Sequence, residues 1–262
     1  GKVSNNLVTY KLQLRDDKAK DQYVVAGTLK AVNGDTEIHL LPQDLLLNYE
    51  NWTLSENNII RFGNKGIYAN DFKLQNRNSV IALQSKFENP TAPLAIRFTD
   101  FSIETLSHMI QKEALAFGGI INGEATLENA TTQPILTSDL TIKGFTFKKE
   151  IVGDINLKVH NKIANTYTVE STLTGQGNDV TLNGFYQNSN GNFDLNLNLK
   201  QLNVASIQPF TMEQLTKGNG HLSGEFRIKG TTDNPKIIGD LQFHNGAFTV
   251  TKWWIQDLNA TV

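Results

Sequence analysis

The chain has 262 residues, of which 39% are hydrophobic and 19% charged, with a formal net charge of −2. These values allow a substantial buried core and exclude an intrinsically disordered chain. The small net charge leaves no positive electrostatic field that would attract nucleic acid. No apolar run approaches the roughly 18 residues of a membrane-spanning helix. The absence of cysteine excludes disulfides, thiolate metal sites and cysteine nucleophiles, and it agrees with an oxidising compartment.

Alternation of apolar and polar residues is the main periodic signal. In chain order it covers residues 10–14, 94–98, 155–159, 193–200 and 241–243. A period of two residues is typical of β-strands with one apolar and one polar face. Turn signals such as Asn-Gly separate these runs about every 8–12 residues. The sequence therefore predicts an all-β fold with antiparallel strands.

Helical patterns are sparse. Residues 102–117 carry apolar residues at spacings of three and four, followed by Gly118 and Gly119, which predicts a short amphipathic helix. Residues 205–215 show a weaker pattern of the same kind, which Pro209 interrupts. We therefore expect one or two short helices.

The chain also repeats itself at an offset of 101 residues, so that residues 94–147 approximately match residues 195–248. Without a gap, this offset aligns Gly119 with Gly220, Gly123 with Gly224, and Pro134 with Pro235. Tandem repetition of one supersecondary unit is typical of elongated stacks. We predict one continuous β-groove segment over residues 1–262.

The apolar face of such a sheet has to be covered. A second sheet or closure into a barrel would cover it, as in an ordinary packed core. A curled sheet could instead cover it with an apolar ligand. A repeat fits barrel closure poorly, because a barrel has a fixed number of strands, and it fits an elongated, curled trough well.

The most specific motif lies in residues 219–248. It combines Gly-x-x-x-Gly at Gly220 and Gly224, Gly230 before a threonine, Pro235, and Asn-Gly ending at Gly246. This order of elements resembles the TamB family and its AsmA-like relatives, in particular Bacteroidetes-type members. Residues 52–83 and 199–204 also suit the family pattern.

The resemblance implies a translocation and assembly module in the periplasm of a Gram-negative bacterium, with a β-taco-like groove. Such proteins are associated with phospholipid transport and outer-membrane biogenesis, and also with protein secretion beside a BamA- or TamA-type outer-membrane barrel. They are anchored in the inner membrane by an N-terminal helix. Neither the anchor nor the outer-membrane end is evident in the sequence, so we expect this chain to be a periplasmic fragment.

The alternation phase predicts which residues line the hydrophobic groove and contact phospholipid acyl chains. They are Leu12, Leu14, Leu29, Phe72, Leu74, Ile96, Phe98, Leu140, Ile142, Leu157, Leu195, Leu197, Leu199, Phe226, Ile228, Leu241 and Phe243. On residue pattern alone, an ordinary core is the favoured interpretation of the same residues.

Two further functions stay open. One is an outer-membrane protein or autotransporter assembly module that binds client strands by β-augmentation. The other is a structural β-sandwich or adhesin module. An enzyme is not predicted, because the five histidines lack ligand spacing and no nucleophile elbow, Walker loop or Rossmann fingerprint occurs. We accordingly expect no cofactor and no metal.

Overall fold

The computed structural model describes residues 2–4, 6–43, 45–105, 117–163, 165–211, 215–216, 218–246 and 249–250. It contains 71% strand and 4% helix, in large antiparallel sheets that do not close into a barrel. This confirms the predicted all-β class and agrees with a groove architecture.

The strands follow the alternating segments of the sequence. They are β1 (Lys2–Ser4), β2 (Leu7–Arg15), β3 (Asp21–Val32), β4 (Asp35–Leu40), β5 (Leu46–Leu47), β6 (Glu50–Asn51), β7 (Thr53–Leu54), β8 (Ile59–Gly63), β9 (Gly66–Asn70), β10 (Phe72–Asn76), β11 (Ser79–Ser85), β12 (Leu94–Ser102), β13 (Phe117–Glu128), β14 (Ile135–Phe147), β15 (Glu150–Ile163), β16 (Thr166–Gly175), β17 (Asn178–Gln187), β18 (Asn192–Asn203), β19 (Leu215–Thr216), β20 (His221–Thr231), β21 (Asn234–His244) and β22 (Thr249–Val250).

The described residues form three sheets. The first has eight strands in the order β1-β2-β3-β4-β8-β9, with β5 beside β3 and β6 beside β5. The second has twelve strands in the order β21-β20-β18-β17-β16-β15-β14-β13-β12-β11-β10-β7, and the third pairs β19 with β22. Neighbours in the chain are mostly neighbours in the sheets, as expected for hairpin connections.

The chain divides into two compact units. The N-terminal unit comprises residues 1–110 and 121–138, and the C-terminal unit comprises residues 111–120 and 139–262. The prediction of one continuous segment with a 101-residue repeat stays a prediction.

The N-terminal unit has a packed core. Strands of the eight-stranded sheet contribute Tyr23 and Leu47 to it, and strands of the twelve-stranded sheet contribute Leu74 and Phe101. Trp52, outside any strand, packs on Phe101 with ring centroids 5.8 Å apart. Apolar side chains from two sheets thus cover each other within this unit.

The C-terminal unit contains an antiparallel meander from β15 to β18 that continues into β20 and β21. Its tight turns hold residues with positive φ, such as Gln176 at 54° and Gly177 at 77° between β16 and β17. Two consecutive positive φ values match the twist of a two-residue hairpin turn. The turns therefore follow from the Asn- and Gly-rich composition between the alternating runs.

The helical predictions lie partly outside the described residues. Of residues 102–117, Ser102 ends β12, Glu104 and Thr105 are helical, Phe117 begins β13, and residues 106–116 are not described. The second prediction corresponds to α1 (Val204–Ile207), followed by a 3-10 turn at Gln208–Thr211. Asn203 is the N-cap of α1, and its side chain accepts a hydrogen bond from the Ala205 amide at 3.0 Å.

Candidate functional site

One surface of the C-terminal unit is built from apolar side chains aligned across six strands. The register of β15–β18, β20 and β21 aligns them in rows, and we call this surface the apolar face. From one row to the next, its residues are Leu222 and Phe243; Ile155, Leu173, Val180, Leu199, Gly224 and Leu241; Leu157, Ser171, Leu182, Leu197, Phe226 and Gly239; Val159, Val169, Gly184, Leu195, Ile228 and Ile237; and Tyr167, Tyr186, Phe193, Gly230 and Pro235.

The opposite surface of the same strands is mainly polar, although Phe185 and Ile238 also lie on it. The Arg227 guanidinium donates to both Asp194 carboxylate oxygens at 2.7 and 2.5 Å. Asn196 donates to Asn183 at 3.4 Å, one residue away from Leu197 on the apolar face. Cross-strand polar pairs therefore make this surface hydrophilic. The alternation places the apolar side chains on the opposite surface of the sheet.

The ion pair on the polar surface also sets protonation. Hydrogen bonding from the Arg227 guanidinium, together with its charge, holds the pKa of Asp194 below its usual range. The same pairing raises the pKa of Arg227. Asp194 is ionised at neutral pH, as an unshifted aspartate would be, and the lower pKa extends its ionised range to more acidic pH.

Most side chains of the apolar face are only half-buried. Leu195, Leu197, Phe226 and Ile228 all retain solvent-accessible surface, and Ile237 on β21 is 68% exposed. An ordinary core would remove such side chains from water. The apolar face therefore keeps surface on which a ligand could pack.

One edge of the apolar face is closed by α1, and we call it the helix edge. Asn178, at the start of β17, donates from its side-chain amide to the Val152 carbonyl at 2.7 Å and to the Ser206 hydroxyl at 2.9 Å. Its side-chain oxygen accepts from the Asn203 amide at 2.7 Å. Val204 is 1% exposed and Leu199 is 6% exposed. These side chains are thus buried, and the Asn178 amide is fully engaged in hydrogen bonds.

Aromatic rings connect the segment that follows α1 to the sheet. Phe147 stacks on Phe210 with centroids 4.3 Å apart, and on Phe117 at 5.2 Å. Phe210 belongs to the 3-10 turn that follows α1, so the stack fastens this turn to β14. Alternation alone gave no signal for a contact between residues so distant in the chain.

The other edge carries aromatic residues with polar tips, and we call it the tyrosine edge. Tyr167 and Tyr186 face each other across β16 and β17, with ring centroids 6.5 Å apart. Phe193 continues the row beside Tyr186. All three side chains are half-buried. The two edges of the apolar face therefore differ in chemistry.

The predicted groove residues lie in different parts of the structure. Leu157, Leu195, Leu197, Leu199, Phe226, Ile228, Leu241 and Phe243 come together on the apolar face. Leu140 and Ile142 lie half-buried on β14. The lining assignment stays a prediction for all of these residues.

The remaining predicted residues belong to the N-terminal unit. Phe72 and Leu74 are buried in its core, and Phe98 packs against that core. Ile96 and Leu29 are half-buried on β12 and β3, respectively, while Leu12 and Leu14 on β2 are 47% and 41% exposed. For Phe72 and Leu74, the neighbouring side chains are those of the protein itself.

Sequence reasoning overlooked part of the apolar face. Leu173, Val180 and Leu182 belong to it, although only the flanking strands were predicted to line the groove. The signal was present, since residues 180–183 alternate strictly between apolar and polar.

The described residues contain no group of three or more His, Cys, Asp or Glu side chains arranged to hold a metal ion. The nearest approach is a stacked pair, His221 and His244, with ring centroids 4.7 Å apart. Over the same part of the chain, no helix has the length and hydropathy of a membrane span.

Residues 167–254 match the family model of the TamB C-terminal domain. This range contains β17, β18, β20 and β21 entirely, so it includes most of the apolar face. No curated protein and no solved structure matches the chain.

Proposed function

We propose that the apolar face binds phospholipid acyl chains and shields them from water during transport from the inner to the outer membrane. The match of residues 167–254 to the TamB C-terminal domain supports this proposal. The family is a transport and assembly module of the cell envelope. The family match thus supports a role in envelope assembly, and the lipid-binding step is our proposal.

The observation that carries the proposal is the set of half-buried apolar rows on one face of six strands. Each methylene of an acyl chain costs about 0.8 kcal/mol in water, so a tail of about 16 carbons costs roughly 13 kcal/mol. Packing the tail on the apolar face would remove much of this cost. The central row, with Leu182, Leu197 and Phe226 in register, is the natural contact surface.

The chemistry of the rows suits movement as well as binding. They consist mainly of Leu, Ile, Val and Phe, with small residues such as Gly184 and Gly224 between them. Dispersion contacts with such side chains are non-directional and individually weak. A lipid would therefore find no single strong site along the sheet at which it would be held.

The wider setting is part of the same proposal. We place the segment in the periplasm, within a protein anchored in the inner membrane and joined to a BamA- or TamA-type barrel at the outer membrane. Phospholipid is the transported partner, and nucleic acid is not expected to bind, given the net charge of −2.

Site-specific photo-crosslinking in bacterial cells tests the proposal. The full-length protein would carry the photoreactive residue at Leu197 or at Asn196, adjacent positions that lie on the apolar and polar surfaces. We expect lipid adducts, detected by mass spectrometry, at position 197 and none at 196. Absence of lipid adducts at 197 would contradict the proposal and favour a purely structural role.

A second function is favoured by the position of β21. Among the described strands, β21 ends the twelve-stranded sheet, and its residues 234–240 are all exposed. Such an edge can pair with a client strand of an outer-membrane protein. A photoreactive residue at Ile238 that captured outer-membrane proteins, with no lipid captured at Leu197, would favour this assembly function.

A further inference from the structure

The apolar face has two chemically different edges, and from this difference we infer that a bound acyl chain lies along the strands in one orientation. Its methyl end points to the helix edge, and its glycerol and headgroup lie at the tyrosine edge. The inference rests on the proposed function, since it describes how the same lipid would lie on the apolar face.

The dimensions fit a chain that lies along the strands. On β17, Val180 is the residue of the apolar face that lies nearest the helix edge, and Tyr186 is the one at the tyrosine edge. At about 3.3 Å per residue, the two positions are about 20 Å apart. The hydrocarbon core of a bilayer is about 30 Å thick and holds two leaflets, so one acyl chain spans about 15 Å. The apolar face is therefore wide enough for one extended chain.

The helix edge suits the methyl end of the chain. Val204 and Leu199 are buried there, and Val152 is 4% exposed. The buried Asn178 amide at its centre already bonds the Val152 carbonyl, the Ser206 hydroxyl and the Asn203 amide. A phosphate placed at this edge would lose its water and gain no donor from Asn178, which is unfavourable. A terminal methyl group forms no hydrogen bonds with water, so it loses none at this edge.

The tyrosine edge suits the polar end of the lipid. Tyrosine presents an apolar ring and a polar tip, which matches a boundary between hydrocarbon and water. Beyond Tyr167 and Tyr186, the turns carry the uncharged amides Asn165, Asn188 and Asn190, and the turn between β20 and β21 adds one carboxylate, Asp233. These amides can hydrogen-bond a phosphate or a glycerol ester without selecting a headgroup by charge. Phosphatidylcholine is therefore a suitable probe.

The absence of cysteine makes the inference directly testable. Three variants of the 262-residue chain place one cysteine each on β17: Val180→Cys, Tyr186→Cys and, on the polar surface, Asn183→Cys. Each is labelled with a bimane fluorophore and loaded from phosphatidylcholine vesicles. The lipid carries a nitroxide quencher either near the acyl carbonyl or near the methyl end. The protein is separated from the vesicles before fluorescence is measured.

We expect the carbonyl-proximal nitroxide to quench the label at position 186 at least about twofold more than the label at 180, because the two lie about 20 Å apart. The methyl-end nitroxide should give the reverse, and position 183 should be quenched least by both lipids. Circular dichroism confirms that each variant is folded. If a substitution disturbs the fold, Leu241→Cys and Phe193→Cys replace Val180→Cys and Tyr186→Cys, because they occupy the same rows.

The other outcomes separate the inference from the proposed function. Strong quenching at 180 and 186 with no dependence on nitroxide position, or with the opposite dependence, would overturn the orientation while leaving lipid binding intact. Equal quenching at 180, 183 and 186 would indicate non-specific adsorption and would overturn the inference. No quenching at any position would overturn lipid binding and, with it, the orientation.

Discussion

The two units use the same alternating strands and treat their apolar surfaces differently. In the N-terminal unit, Tyr23 and Phe101 are 1% and 2% exposed, within a core shared by two sheets. In the C-terminal unit, Leu195 and Leu197 stay half-buried on the apolar face. Alternation thus determines which residues share a surface, whereas long-range packing determines whether that surface becomes a core.

The largest change in the free energy of unfolding should come from truncating a leucine side chain, and its size should differ between the two units. Leu74 is buried between Leu54 and Ile81 in register, so Leu74→Ala should cost about 2–5 kcal/mol. Leu197→Ala should cost about 1–2 kcal/mol, because part of that side chain already contacts water. Urea unfolding followed by circular dichroism measures both, with the transitions fitted separately if the two units unfold separately. Equal losses would show that the apolar face is packed like a core.

The closed edge of the C-terminal unit offers the next test. Asn178→Ala should cost about 1–3 kcal/mol, because it leaves buried partners such as the Val152 carbonyl without their hydrogen bonds. Asn183→Ala, an exposed asparagine on the same strand, is the control and should change stability by less than about 0.5 kcal/mol. Thermal unfolding of both variants measures the difference. Similar melting temperatures for the two would contradict the assigned role of Asn178.

A charge on each surface of one strand should separate binding from folding. Leu197→Asp should weaken phospholipid binding about tenfold, equivalent to about 1.4 kcal/mol, because a carboxylate would contact the acyl chain. Asn196→Asp should leave affinity unchanged, since Asn196 lies on the polar surface. Titration with a fluorescent phospholipid gives both affinities. If the two variants lose affinity equally, the apolar face is not the binding surface.

The smallest effect should follow from the exposed ion pair on the polar surface. Arg227 lowers the pKa of Asp194, so the pair stabilises the folded chain above the usual aspartate pKa of about 3.9. This contribution is lost as the pH falls through the lower pKa of the folded state. Asp194→Asn should therefore reduce the urea midpoint slightly at neutral pH and not at strongly acidic pH. A difference that grew on acidification would contradict the sign of the shift.

The sequence predicts the strands better than their surroundings. Residues 193–200 alternate so regularly that Leu195, Leu197 and Leu199 fall on one face of β18 without any structural information. The alternation is local, because a strand's geometry alone sends successive side chains to opposite sides. Fold class and strand phase were therefore accessible from the sequence.

The packing was not accessible in the same way. Leu45 and Trp52 lie outside the strands and show no periodicity, yet they fill the N-terminal core around Phe72 and Leu74. The hydrogen bond from Asn178 to Ser206 likewise joins positions that no local pattern relates. Such contacts depend on how distant segments meet, which alternation does not encode.

The meander of β15 to β18 favours sequential folding of the C-terminal unit. Each of these strands pairs with the next strand in the chain, across the short turns at 176–177 and 188–191. Contacts between near neighbours in sequence require little loop closure and favour fast folding, and single hairpins form in about 1–10 μs. This part of the chain can therefore acquire its structure strand by strand during synthesis, before its last residues are added.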